Sequence, residues 1–189
     1  LSSSSAASDV YKRQEGIRPD TTVESLAGLR AAFADGGSIT AVNSSQISDG
    51  ASAVVVTTRG TAEAKGWPVL VTVGASGQTA GPDNSLQAQP ARAIERACEK
   101  QGIAPADLDV VEINEAFGAV VARSQVELGL SSDVVNIHGG GIAIGHPIGA
   151  SGTRLVVHVA HELARRGSGT AAVGLCGGGG QGEALILTR

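Results

Sequence analysis

Residues 145–182 read GHPIGASGTRLVVHVAHELARRGSGTAAVGLCGGGGQG, and this stretch decides the class of fold. Apolar residues recur at helical spacing through residues 150–166, and residues 171–175 form a short apolar run typical of a buried strand. Glycine-rich turns precede the helix and follow the strand. This alternation predicts an α/β fold, with helices covering both faces of a sheet.

The same alternation extends along the rest of the chain. Predicted strands lie at residues 51–58, 69–73, 109–113, 134–137, 171–175 and 184–188. Predicted helices lie at residues 22–33, 59–66, 90–100, 115–128 and 150–166. The glycine motifs fall at strand–helix junctions, where open α/β sheets bind ligands.

Composition narrows the function classes. The 189 residues are 42% hydrophobic and 17% charged, with a net charge of −4 and a pI near 5.5, so we expect a globular protein that binds no nucleic acid. No apolar run approaches the roughly 20 residues of a membrane span, so no membrane association is expected. The two cysteines lack metal-type spacing, which favours free thiols, a cytoplasmic location and no metal.

The first 14 residues, LSSSSAASDVYKRQ, differ in composition from the rest of the chain. We interpret residues 1–14 as a non-native or disordered tail, such as a tag or an assembly artefact, although a flexible natural linker fits almost as well. The sequence contains no methionine, so we expect it to be a fragment of a longer protein.

His146 and Cys176 are the candidate catalytic residues. His146 lies between glycines and precedes Pro147, which favours an extended backbone and a side chain that projects from a loop. Cys176 ends an apolar strand, where a free cysteine is often inert, but four glycines follow it and could present N–H groups to a developing oxyanion. Imidazole and thiol so placed predict acyl chemistry. Cys98 lies within a helix and is expected to be structural.

Asn114 has two interpretations. It follows a strand and precedes a helix, so it is either a helix cap or a residue that orients a water or a polar group. On the helix of residues 150–166, His158 and His161 fall opposite the apolar arc, and we expect both to be solvated. A metal half-site at this pair is disfavoured, because no acidic or cysteine residue stands at ligand spacing.

Two nucleotide-binding patterns fail on context. Residues 177–182 match GxGxxG formally, but a strand comes after them instead of a helix. The sequence GASGTR lacks the lysine of a phosphate-binding loop.

Five motifs carry a family resemblance, in family order: IRPDTT, NSSQISDGA, NEAF, GHPIGASG and CGGGGQG, from Ile17 to Gly182. With them, residues 15–189 resemble the C-terminal half of a thiolase of the bacterial acetyl-CoA acetyltransferase type. The resemblance implies two similar five-stranded βαβαβαββ halves around central helices, with a loop domain inserted in the first. Residues 15–67 would then hold the ends of the loop domain and of the N-terminal domain, and residues 68–189 the complete C-terminal domain.

The resemblance implies roles for individual residues. His146 would activate the nucleophile and hold the thioester oxygen, Cys176 would exchange a proton with the substrate, and Asn114 would hold a water of an oxyanion hole. The Gly178 N–H would serve a second hole. The substrate-binding residues would be Arg18 near the phosphates of coenzyme A, Ser45 near pantetheine, and Phe33, Ala116 and Phe117 along the pantetheine tunnel.

The implied reaction is reversible condensation and thiolysis between acetyl-CoA and 3-ketoacyl-CoA. Coenzyme A takes part as substrate, no separate cofactor is expected, and the parent is expected to be a homodimer or homotetramer. The nucleophilic cysteine of the first half has no match here, so the chain alone is expected to be inactive. Residues 81–84, Gly-Pro-Asp-Asn, depart from the family's usual turn. The alternative is a noncatalytic thiolase-like protein that binds coenzyme A or lipid.

Overall fold

Residues 20–189 are described by a computed structural model, and they are built on one mixed four-stranded sheet. In chain order the strands are β1 (Thr72–Ala80), β2 (Val110–Ile113), β3 (Thr170–Gly177) and β4 (Gln181–Thr188). Their order across the sheet is β1-β4-β3-β2, with β2 and β3 parallel and the other two pairs antiparallel. The predicted α/β class is confirmed.

Helices lie before and between these strands. In chain order they are α1 (Val23–Ala27), α2 (Arg59–Lys65), α3 (Gln89–Gln101), α4 (Gly118–Leu128), α5 (Gly141–Ile144) and α6 (Ser151–Arg166). Gly102 ends α3 in the left-handed conformation, as the sequence predicts, because glycine has no Cβ to oppose a positive φ. The same cap ends α2, α4 and α6.

The sheet carries an apolar layer on each face. Helices α3 and α4 cover one face, where Ile94, Val120 and Ile113 belong to one buried cluster. Helix α6 covers the other face, where Leu155 and Leu163 pack with strand residues in a second cluster. The apolar arc predicted for residues 150–166 is therefore the face that α6 turns toward the sheet.

Strand β1 begins and ends later than the predicted strand at residues 69–73. Small and polar residues fill it, so its pattern is that of a turn region. Gly77 explains this composition, because a Cβ there would collide with the backbone of Ala93 in α3. Close approach of helix and strand replaces the usual β-branched packing.

Three other predicted elements differ from the structure. Residues 51–58 form no strand, since no strand in the described part of the chain pairs with them. The predicted helix at residues 22–33 stops at Ala27 and Gly28 caps it. The predicted strand at residues 134–137 is reduced to one parallel bridge between Val111 and Val135.

Asn136 explains why that last strand is so short. Its backbone has a φ of 47°, which takes the chain out of the extended conformation. Its side chain then occupies the next ladder position, accepting from Ile113 N at 2.7 Å and donating to Ile113 O at 2.9 Å. A side-chain amide therefore takes the place of the backbone of a fifth strand at this edge.

Candidate active site

His146 lies in the turn between α5 and α6. Gly145 before it has a φ of 91°, and a Cβ at Gly145 would collide with Ser48, so only glycine fits this turn. The backbone N–H of His146 donates to Gln46 O at 2.8 Å. The imidazole is thus placed by a turn that is braced from the earlier segment of the chain.

Both ring nitrogens of His146 have partners. Nε2 lies 3.2 Å from Asn114 Nδ2, and Nδ1 lies 2.6 Å from the hydroxyl of Ser151, the first residue of α6. Burial lowers the pKa of His146, and the nearby positive charge of Arg154 lowers it further. The imidazole is therefore held neutral at neutral pH, the form that can accept a proton.

Asn114 follows the last residue of β2 and is fully buried. Its backbone N–H donates to Gly174 O of β3 at 2.9 Å. The helix-cap interpretation of Asn114 is wrong, because α4 starts only at Gly118 and Phe117 occupies its N-cap position. Among the described residues Asn114 Oδ1 has no hydrogen-bond partner, so this buried acceptor suits a polar group that comes from elsewhere.

Cys176 lies near the end of β3, in the strand next to β2. Burial raises the pKa of its thiol, with a smaller opposing effect from a backbone hydrogen bond, so the thiol holds its proton at neutral pH. Cys176 packs against the apolar cluster under α3 and α4, whereas Asn114 contacts His146 on the α6 side. Hydrogen bonds of the described residues join His146 to Asn114 and Ser151 but not to Cys176.

These three side chains share the same edge of the sheet. In the parallel pair β2–β3, Ile113 is the partner of Gly174, so Asn114 and Cys176 stand one and two residues beyond that partnered pair. Carboxyl ends of parallel strands form the edge at which α/β sheets bind ligands. The parallel strands therefore bring an unpaired amide oxygen and a protonated thiol to this edge, and the contact of His146 with Asn114 brings a base to it.

Four of the predicted substrate-binding residues form a second group. The Ser45 hydroxyl donates to Ala116 O at 3.1 Å, and Ser44 forms an antiparallel bridge with Phe117. The Phe117 ring meets the Phe33 ring edge-on at 5.7 Å between centroids, and Phe33 is 72% exposed. Phe33, Ser44 and Ser45 thus lie beside the NEAF motif.

The other two predicted binding residues are Gly178 and Arg18. Gly178 is exposed in the turn between β3 and β4, close in sequence to Cys176. Arg18 lies outside the described residues, as does the segment 1–14, so those two interpretations stay predictions.

Glu115 is a structural residue of the site that was not predicted from the sequence. Its Oε2 accepts from the backbone N–H of Ile142 at 3.0 Å, and its Oε1 accepts from Asn136 Nδ2 at 3.3 Å. A Cβ at Gly140 would overlap the Glu115 side chain. Glu115 therefore clamps the segment that leads to His146, and its place inside the NEAF motif was the available signal.

A buried charged cluster lies behind Asn114. Glu112 is only 1% exposed and its Oε1 lies 3.6 Å from His158 Nε2. That nitrogen also lies 3.1 Å from Nδ1 of His138. Arg154 of α6 adds a guanidinium group whose Nε and Nη2 are buried without partners in the described residues.

The pKa values in this cluster move in opposite directions. Burial raises the pKa of Glu112 to about 7, opposed by Arg154 and assisted by Glu115. Burial lowers the pKa of His158 to about 4, with further lowering by positive charge at His138, Arg154 and Arg165. The contact at 3.6 Å is therefore between a carboxyl group and a neutral imidazole at neutral pH.

The expectation that His158 is solvated is wrong, since Glu112 and the sheet partly bury it, while His161 is exposed as expected. A lone acid in the apolar strand VVEI was the signal that a partner would face it. Residues 20–189 contain no group of three side chains suited to hold a metal ion. Within the same residues, no helix has both the length and the apolar character of a membrane span.

Comparison with protein families identifies the fold. The family model for the thiolase C-terminal domain matches residues 67–189, and the one for the thiolase N-terminal domain matches residues 2–60. The chain belongs to the thiolase family. The predicted family is thereby confirmed, and the five motifs that suggested it contain every predicted site residue except Phe33.

Curated relatives are about twice as long as this chain. A probable acetyl-CoA acetyltransferase from Mycolicibacterium smegmatis is 56% identical over 179 residues, which cover 95% of this chain and 46% of that protein. The rat peroxisomal 3-ketoacyl-CoA thiolase B is 44% identical over 176 residues, covering 93% of this chain and 42% of the relative. The chain therefore spans less than half the length of these relatives.

Solved thiolases share the fold. The human mitochondrial 3-ketoacyl-CoA thiolase in complex with CoA matches with a TM-score of 0.87 at 38% identity, over 93% of this chain and 44% of that one. The Bacillus anthracis acetyl-CoA acetyltransferase matches with the same TM-score at 39% identity, over 93% and 45%. The predicted thiolase fold is confirmed by these matches.

Proposed function

We propose that this chain is the C-terminal part of a thiolase that condenses two acetyl-CoA molecules and cleaves 3-ketoacyl-CoA with coenzyme A. The supporting observation is the hydrogen-bonded trio of Asn114, His146 and Ser151 at the sheet edge that also carries Cys176. A neutral imidazole and a protonated thiol at one edge suit a reaction that moves protons on and off a thioester.

Each side chain has a role in this proposal. His146 Nε2 takes the proton from the attacking thiol and then supports the oxygen of the thioester. Asn114 Oδ1, which lacks a partner among the described residues, orients a water beside that oxygen. Cys176 keeps its proton at neutral pH and can exchange it with the substrate α-carbon or with the leaving coenzyme A thiolate. Gly178 would offer its N–H to a second oxyanion.

Coenzyme A would lie along the second group of residues. Phe33, Phe117 and Ala116 offer apolar surface for a pantetheine arm, and Ser45 stands beside them. Arg18 is proposed to meet the phosphates. Coenzyme A is then substrate and the proposal needs no other cofactor.

We further propose that the chain is catalytically incomplete by itself. Its only cysteines are Cys98 and Cys176. Cys98 is buried in α3, and Cys176 already has the proton-exchange role, so neither can supply the nucleophilic thiol. A groove of about 610 Å³ opens between residues 53–58, residues 67–73 and the outer side of α6, and the apolar Val55 at its rim is 85% exposed. An apolar surface of this kind suits contact with a further part of the same polypeptide. A cytoplasmic location and a homodimeric or homotetrameric parent stay predictions.

The test is a chimaera. Residues 20–189 would replace the matching C-terminal part of the 56%-identical Mycolicibacterium smegmatis relative, and thiolysis of acetoacetyl-CoA would be assayed beside this chain alone. We expect activity in the chimaera and none in the isolated chain. A folded chimaera that binds coenzyme A without turnover would favour the noncatalytic alternative, and turnover by the isolated chain would contradict its proposed incompleteness.

A further inference from the structure

The protonation of His146 is set by its two neighbours. An amide nitrogen can only donate, so Asn114 Nδ2, 3.2 Å from Nε2, requires a lone pair on Nε2. A neutral imidazole carries one N–H, and it must then be on Nδ1. The atom that faces Nδ1 is the Ser151 hydroxyl oxygen, at 2.6 Å.

The Ser151 hydroxyl can accept that proton donation because its own hydrogen has another acceptor. Ser151 Oγ lies 3.1 Å from the carbonyl oxygen of Pro147 and donates to it. That carbonyl is fixed in place, since it also accepts the backbone N–H groups of Ala150 and Ser151 at 2.8 and 2.9 Å. The donors therefore point in one direction, from His146 Nδ1 to Ser151 and from Ser151 to Pro147.

We propose that Ser151 is a positioning residue that holds neutral His146 in the Nδ1–H tautomer, in which Nε2 carries no proton and can act as a base. The catalytic meaning of this arrangement rests on the function proposed above, but the tautomer itself does not. Ser151 and Asn114 are both fully buried, so their polar atoms are held in place beside the half-buried ring of His146.

The opposite arrangement places the single ring proton on the other nitrogen. If the Ser151 hydroxyl donated to Nδ1, the proton of His146 would lie on Nε2, and Asn114 would have to present its oxygen. Nε2 could then give a proton to an oxyanion but could not take one from a thiol. The two arrangements differ in an observable, because one-bond and long-range ¹H–¹⁵N couplings of the ring distinguish the tautomers.

The experiment is ¹⁵N NMR of the histidine rings in the chain, labelled at histidine and held above the pH at which His146 titrates. The His146 signals are assigned by their loss in His146→Gln. We expect an Nδ1–H pattern for His146 in the wild-type chain. An Nε2–H pattern, or the mixture that a free imidazole shows, would overturn the proposal without any variant.

Ser151→Ala tests the role of the hydroxyl. Loss of the acceptor should shift His146 toward the Nε2–H form, whereas Ser124→Ala, an equally buried serine whose hydroxyl donates to Gln87 O, should leave His146 unchanged. An unchanged tautomer in folded Ser151→Ala would also overturn the proposal. In the chimaera, Ser151→Ala should lower kcat at least about tenfold with little change in KM. An inactive wild-type chimaera with the Nδ1–H tautomer would reject the function and keep the tautomer assignment.

Discussion

The two faces of the sheet are built differently. Under α3 and α4 the packing is a continuous apolar cluster that includes Ile94 and the structural Cys98. Under α6 the apolar cluster is bordered by a stripe of buried polar groups, in which Glu112 and Asn114 project from alternate positions of the same strand region. The difference shows that one face is an apolar core, while the other also holds buried polar and titratable groups, which cost free energy to bury.

The largest expected effect is on catalysis. In the chimaera, His146→Ala and Cys176→Ala should each lower kcat by about 10²–10⁴-fold, because each removes a proton-transfer group. Cys98→Ala is the matched control, since Cys98 is a buried thiol within the apolar cluster and should leave kcat near that of the unmodified chimaera. Near-normal turnover in either site variant would contradict its assigned role.

The next largest effect concerns the apolar face. Ile94 is fully buried against Gly174 of the sheet, so Ile94→Ala should lower the free energy of unfolding by about 2–5 kcal/mol. Urea unfolding of the chain measures this loss. The control is Val126→Ala on the neighbouring helix, where the side chain is 77% exposed and the expected change is within about 0.5 kcal/mol. Equal losses in the two variants would mean that this face is not the stabilising core.

A pH-dependent effect should distinguish the α6 face. The folded-state pKa of Glu112, about 7, lies above its ordinary 4.5, so protonated Glu112 stabilises the fold in acid and this stabilisation is lost as the pH rises through 7. Relative to wild type, Glu112→Gln should therefore gain about 1–3 kcal/mol of unfolding free energy between pH 5 and pH 8. Urea unfolding at the two pH values measures the gain.

His158→Gln should change the pH dependence of the free energy of unfolding in the opposite direction. The folded-state pKa of His158, about 4, lies below its ordinary 6.5, so the wild type loses stability from this group as the pH falls from 6.5 through 4. The free energy of unfolding of the variant should therefore rise relative to that of wild type as the pH falls over that range. If the free energies of unfolding of wild type and both variants changed with pH in parallel, neither Glu112 nor His158 would titrate with a shifted pKa in the folded chain.

The smallest expected effect lies on the surface. Arg123 and Glu127 form an exposed i,i+4 ion pair on α4. Arg123→Ala should change the free energy of unfolding by no more than about 0.5 kcal/mol, because solvent and salt screen the pair. A thermal or urea unfolding curve shifted by more than this would assign a structural role to the outer side of α4.

Periodicity and turn chemistry were enough to predict most of the fold. The apolar spacing of residues 150–166 identified α6 and its buried face, and Gly102 marked the end of α3. Two strand predictions failed because a strand also depends on the segment that pairs with it. Residues 51–58 have strand composition but no paired strand among the described residues, and Asn136 replaces a strand position with its side chain.

The site was predictable in its residue types but not in its contacts. Glycine turns indicated His146 and Cys176, yet the Asn114–His146 contact joins residues 32 positions apart. Ser151 lies inside the GHPIGASG motif, but its role was not predictable, because only the turn at Pro147 brings its hydroxyl to Nδ1. The prediction that His158 is solvated was wrong, because helical spacing assigns a residue to a helix face but does not reveal a buried acidic side chain, here Glu112 of β2, packed against that face.

The most direct test of the proposed mechanism is a double-mutant cycle in the chimaera. His146 and Cys176 lie on different faces of one sheet edge, and the mechanism requires that they act on the same thioester. The kcat of His146→Ala, of Cys176→Ala and of the double variant would be measured for thiolysis. If both serve one site, the double variant should lose little more than the worse single variant, since either loss already disables the unit. Losses that multiply fully would show that the two side chains act independently and would contradict the mechanism.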